Sequence, residues 1–161
     1  YNQRKPFEVK QIHFPQLLTP VVIDSIEITP LPAFRQHWRS YLVRADGLNI
    51  VWLYRHSDRY LPWEKNTEAI EYLKEQDISI DLMLVGNTGT DTGPEWISVM
   101  NEGYEMAKEL DVKAVLPVPS CKMGEYFYNE QRRKGAGDNI YFAKNPGDMF
   151  IYNEGRVEEI K

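Results

Sequence analysis

The chain has 161 residues, 42% hydrophobic and 27% charged, enough to bury a core without disulfides or a structural metal and incompatible with a wholly disordered chain. A net charge of −5 and an isoelectric point near 5.3 exclude a typical duplex nucleic-acid binder, which needs a basic face to neutralise phosphate; a small-molecule substrate or a protein partner is expected instead. No run approaches the ~20 apolar residues of a membrane span and no leader pattern is seen, so a soluble protein is expected, and the single Cys121 favours a reducing, cytoplasmic location.

One domain over residues 1–161 is expected, with residues 1–23 as an irregular N-terminal arm because Pro6, Pro15 and Pro20 interrupt it. From Asp24 to Leu31, Ile26 and Ile28 alternate with polar neighbours at the period of a half-buried strand. Arg39–Ala45 and Leu48–Tyr54 are rich in β-branched and aromatic residues, and Asp46-Gly47 between them predicts a hairpin with a type I′ turn. Residues Glu64–Gln76 carry Ile70 and Leu73 on one face, with Asn66 as a cap, and predict a short surface helix.

Ile78–Val85 becomes continuously apolar, as in a strand covered on both faces. Thr92-Gly-Pro-Glu95 then has the spacing of a capping box, and Ile97, Met100, Tyr104 and Ala107 recur at helical spacing up to Leu110. With Lys113–Val118 as a further strand, this stretch predicts a βαβ unit with parallel strands, whose loops are the place for chemistry. The charged, glycine-containing run after Gln131 predicts an exposed loop. Asp148–Asn153 and Val157–Ile160 predict a last hairpin around Glu154-Gly155. No internal repeat stands out.

Several residues invite a functional reading. The loop Gly86-Asn-Thr-Gly-Thr-Asp-Thr-Gly93 precedes a capped helix, so its free amides and the helix dipole suit an anion; without a following Gly-Lys-Ser/Thr it is not a nucleotide loop. Asn87, Thr88, Thr90 and Thr92 are read as the rim of a pocket. Arg35, His37 and Arg39 form a basic alternation that suits an anion or simply an exposed strand. Cys121 lacks a Cys-His-Asn ordering and reads as a small packing residue. Tyr126-Phe-Tyr128 reads more readily as packing than as a stacking platform. Arg132-Arg-Lys134 reads as a solvated basic loop.

Ile26-Glu-Ile-Thr-Pro-Leu-Pro-Ala33, Asp81-Leu-Met-Leu-Val-Gly-Asn87, Gly93-Pro-Glu95, Ala114-Val-Leu-Pro-Val118 and Asn145-Pro-Gly-Asp148 follow one another over roughly 130 residues. In this order they resemble the latter half of metallo-β-lactamase-fold, metal-dependent hydrolases, in the branch of the ascorbate-6-phosphate lactonases. The resemblance implies an α/β fold, a metallo-β-lactamase-like αββα sandwich that is incomplete here, with a mixed sheet and flanking helices. It implies hydrolysis of an ester, lactone or phosphoester by metal-bound hydroxide.

The family's bridging aspartate corresponds to Asp58, which becomes the candidate metal ligand and, with His37 near a family substrate-contact position, the candidate catalytic pair. The ordinary use of Asp58 is a surface carboxylate beside Arg55 or Arg59. His37 and His56 read equally as loop histidines. The family's H-x-H-x-D-H cluster would fall before residue 26, where only His13 stands, and its last histidine ligand falls on Pro119, which has no ligand atom. The cofactor stays unknown, with zinc or manganese expected if a segment outside this chain completes the site. A degenerate protein that keeps the fold for binding or assembly is the alternative, and the sheet face left open by a missing half favours a homo-oligomer or a partner chain.

Overall fold

The computed structural model describes residues 16–32, 40–55, 67–87, 94–118, 121–133, 138–143, 145, 147–153 and 155–160. Eight strands and three helices run in the order β1 (Val21–Ile23), β2 (Ile26–Leu31), β3 (Ser40–Ala45), β4 (Leu48–Arg55), α1 (Thr67–Glu75), β5 (Leu82–Asn87), α2 (Pro94–Glu109), β6 (Ala114–Val118), α3 (Cys121–Arg133), β7 (Met149–Asn153) and β8 (Arg156–Ile160). The first six strands form one mixed sheet in sequence order. Its β1–β4 part is an antiparallel meander, and β4, β5 and β6 are parallel. The last two strands form a separate ribbon.

Local chemistry accounts for these elements. Asp46 and Gly47 both take positive φ, 51° and 78°, as the expected I′ turn requires. The parallel strands need crossovers, and α1 and α2 supply them between β4, β5 and β6. Helix α2 opens on Pro94, which lacks the N–H that a first helical residue would leave unpaired. The mixed sheet with flanking helices expected of an incomplete copy is therefore present, and a second large sheet is not among the described residues.

Helices α1 and α2 end alike. Lys74-Glu-Gln-Asp77-Ile78 and Lys108-Glu-Leu-Asp111-Val112 repeat the same wording, and in each the aspartate turns to positive φ, 51° and 49°. The N–H of Ile78 reaches Leu73 O and that of Val112 reaches Ala107 O, while Asp77 and Asp111 bond back to Lys74 and Lys108. These are two Schellman caps that return the chain to β5 and β6. A repeat this short escapes a search for long periods.

Four expectations need correction. Val21–Ile23, placed in the irregular arm, is strand β1, because Asp24 at φ 53° turns the chain so that Ile23 pairs with Ile26. Residues 78–80 lead into β5 rather than belonging to it, since the Schellman cap of α1 uses Ile78. Cys121–Arg133 is a helix, a stretch to which the sequence reading assigns no element before its loop after Gln131. Its Gly124 weakens the propensity signal, although Ser120 before it and two arginines at its end are cap-like cues. Arg132 and Arg133 thus close a helix, paired with Asp138 and Glu130, instead of forming a loop.

The core lies between one face of the sheet and the helices. Leu31, Leu42, Val51, Met83, Val85 and Val115 point to that side and are fully buried. Ala69, Ile70 and Leu73 of α1 and Tyr104, Met106 and Ala107 of α2 belong to the same cluster. Gly103 lets α2 approach closely: a Cβ there would stand 2.6 Å from Val85 Cγ1. Beyond β6, Asn139 O accepts from Val115 N–H and Tyr141 N–H donates to Val115 O, so this segment extends the sheet edge. No helix among the described residues is long and apolar enough to cross a membrane.

Candidate functional site

In a parallel sheet, ligands are bound beyond the carboxyl ends of the strands, where the loops emerge. The ends of β4, β5 and β6 lie side by side here: Arg55 is the register partner of Asn87, and Gly86 that of Val118. The β2–β3 connection leaves the same edge, because Leu31 pairs with Ser40 while Tyr41 pairs with Trp52 near the end of β4. Four connections are therefore rooted along one rim: residues 33–39, 56–66, 88–93 and 119–120.

These connections contain the sequence candidates. Asn87 is the last residue of β5 and takes its place in the ladder at that rim. His37, Asp58, Thr88, Thr90, Thr92 and Pro119 lie outside the described residues, as do His13 and His56. Among the described residues, no three His, Cys, Asp or Glu side chains converge so as to hold a metal. The whole chain has three histidines, none spaced i, i+2 or i, i+4 from another, a donor set that does not match a two-metal hydrolase centre.

A dense polar constellation among the described residues sits at the opposite, amino edge. Asp81 precedes β5 and is 7% exposed. Its Oδ2 accepts the backbone N–H of Asn49 at 2.9 Å, and its Oδ1 accepts Lys113 Nζ at 2.6 Å and the Tyr152 hydroxyl at 2.9 Å. Asn49 in turn donates through Nδ2 to Ser79 O at 2.8 Å. One carboxylate thus ties together the starts of β4, β5 and β6 and fastens the β7–β8 ribbon to the sheet.

The charges in this clamp favour its ionised form. Burial pushes the Asp81 carboxyl up, but the Asn49, Lys113 and Tyr152 hydrogen bonds and the lysine charge together hold it below the ordinary 3.8. The hydrogen bond to Asp81 raises the Lys113 ammonium above 10.5. Burial, followed by the bond to Asp81, raises the Tyr152 phenol above 10.0. A carboxylate with three donors and a tyrosine held protonated make a structural staple, lacking the near-neutral group that acid–base chemistry wants. With six residues of β5 at ~3.3 Å each, the clamp is roughly 20 Å from the rim.

Sequence reasoning quoted Asp81 only as the start of a motif and missed the clamp. A charged residue leading into an apolar parallel strand is a usable cue, since such a group needs partners once buried. Tyr152, 71 positions away, has no local signal. Also at the amino edge, a groove of about 470 Å³ separates the ends of α1 and α2, lined by Asp77, Ser79, Glu109 and Asp111 and bridged by Lys74 to Glu109 at 2.7 Å.

No family model and no curated protein matches the chain in sequence. Solved structures that resemble it include two of the metallo-β-lactamase fold. One is a candidate Zn-dependent hydrolase of the metallo-β-lactamase superfamily from Thermotoga maritima, 20% identical, with 64% of this chain and 46% of that one covered and a TM-score of 0.40. The other is the metallo-β-lactamase fold protein YhfI from Bacillus subtilis, 14% identical, with 80% of this chain and 51% of that one covered and a TM-score of 0.52. The chain spans about half the length of each. The likeness to YhfI shows the fold: a metallo-β-lactamase-like α/β arrangement of a mixed sheet with flanking helices.

Proposed function

We propose that this chain is a hydrolase-like protein of the metallo-β-lactamase fold whose own residues do not complete the metal site, and that its carboxyl rim receives a small-molecule ligand. The observation that carries the reading is that the strand ends from which four connections leave lie along one rim, the sequence candidates being His37, Asp58, the Asn87–Thr92 stretch and Pro119. A rim of this kind supplies hydrogen-bonding side chains and free amides, which suits an anionic or hydroxylated ligand. Placement nearer the ascorbate-6-phosphate lactonases, and hence an ester, lactone or phosphoester ligand, rests on the motif order alone. A cytoplasmic setting rests on the single cysteine.

In this reading Asp58 supplies a carboxylate and His37 an imidazole for contacting a ligand. The donor set does not fit a two-metal centre, so no hydrolytic step is assigned to a metal. Elemental analysis of the purified chain tests this, with Asp58→Ala as comparison. Substoichiometric zinc and manganese in both proteins is the expected result. One or more equivalents in the wild type, lost in Asp58→Ala, would restore the metallohydrolase reading. The second reading, a non-catalytic binding or assembly module, is favoured by Pro119 at the matched position of a ligand and predicts no turnover of any ester, lactone or phosphoester even with added metal.

A further inference from the structure

The face of the six-stranded sheet turned away from the helices carries no charged residue at any described position. It presents Ile26 and Ile28 on β2, Val43 on β3, Ile50 and Trp52 on β4, and Leu82 and Leu84 on β5, all on one side by register. Trp52 is 47% exposed and Ile26 41%. Glu27, Thr29, Ser40, Arg44 and Asn49 of β2 to β4 all lie on the other side by register.

A sheet that ends in water on one face normally alternates apolar with polar residues. These strands instead read Ile50-Val-Trp-Leu53 and Leu82-Met-Leu-Val85, the pattern of strands covered on both faces. Among the described residues, the helices contribute their core to one face only. An apolar face of this breadth asks for a second layer.

We infer that this face is the contact surface of a homodimer, in which a second copy lays the same face against it. An uncharged face is complementary to itself, so a two-fold arrangement opposes apolar residues to apolar residues with no stranded charge. Six strands at ~4.8 Å, with about five residues each at ~3.3 Å, present roughly 500 Å² per copy, or about 1,000 Å² in all, the lower bound for a specific interface. Two sheets stacked ~10 Å apart, each backed by its own helices, give a helix–sheet–sheet–helix order.

Sedimentation equilibrium of the 161-residue chain tests the assignment. A species of twice the 18.9 kDa chain mass is expected at about 100 μM, dissociating on dilution. Trp52→Glu and Ile26→Glu, at positions already exposed in one copy, each weaken the dimer by about 30-fold or more. Met149→Glu, on the exposed side of the ribbon, leaves it unchanged. A chain that stays at 18.9 kDa throughout overturns the inference and gives the face to a different polypeptide segment. Polydisperse aggregates, or a dimer broken by Met149→Glu and not by Trp52→Glu, overturn it as well.

Discussion

Val51 and Trp52 are neighbours in β4, yet Val51 has no solvent contact and Trp52 is 47% exposed. The same step recurs along the sheet: Leu42 is buried and Val43 half-buried, Met83 is buried and Leu84 half-buried. All six are apolar, so the nature of these side chains does not set their burial apart. What differs is the cover. One face meets α1 and α2 through the core cluster, and the other has no helix against it among the described residues. Burial is a property of the layer opposite, and a single strand's wording reports only that a layer is wanted.

The largest expected effect breaks the comparison most simply. Leu42→Ala, on the helix-covered face, costs about 3 kcal/mol through lost transfer energy and an unfilled cavity. Ile50→Ala, on the open face, costs under about 1 kcal/mol in the monomer, where its side chain already meets solvent. Urea denaturation at low protein concentration checks the pair, and equal losses would show that both faces are covered within one chain.

Asp81→Ala comes next, at about 2–3 kcal/mol, because the Asn49 N–H and the Tyr152 hydroxyl lose their acceptor. Its pH dependence has a definite sign. The folded Asp81 lies below the ordinary 3.8, so its contribution is full above that value and is lost as pH falls through the folded value. Lys113 and Tyr152 lie above 10.5 and 10.0, so their contributions are full below those values and lost as pH rises through the folded ones. The wild type therefore holds a plateau between about pH 4 and 10, and its advantage over Asp81→Ala shrinks on the acid side. Denaturant midpoints across pH check this.

Gly103→Ala sharpens the account of the covered face. The new methyl meets Val85 Cγ1 at 2.6 Å and Leu53 Cδ2 at 3.2 Å, and pushing α2 off the sheet costs about 1–2 kcal/mol. The smallest effects are gains. Asp77→Gly and Asp111→Gly relieve a side chain held at positive φ and each raise stability by about 0.5–1 kcal/mol, measured as a rise in Tm.

How much of this was legible follows the range of the interactions. The Asp46-Gly47 turn, helix α2 and the parallel β5–α2–β6 unit are written in neighbouring residues and were read correctly in kind, while the Thr92 cap lies outside the described residues. Helix α3 was missed because Gly124 and a polar composition dilute its periodicity. Strand β1 was missed because three residues give no period, and only the Asp24 turn makes them pair. The Asp81 clamp spans 71 positions, and nothing in its local wording announces Tyr152. The rim is legible only in part: its candidates were named from motifs, while their common edge depends on strand order and register.

The contrast between the two faces is tested most directly by hydroxyl-radical footprinting of the same sample at high and low concentration, comparing Trp52, Met83 and Met149. Met83 is expected to stay protected and Met149 reactive throughout, while Trp52 changes from protected to reactive as dilution separates the copies. Trp52 as protected as Met83 at every dilution, in a sample of monomer mass, would contradict the account by showing that the chain covers this face itself.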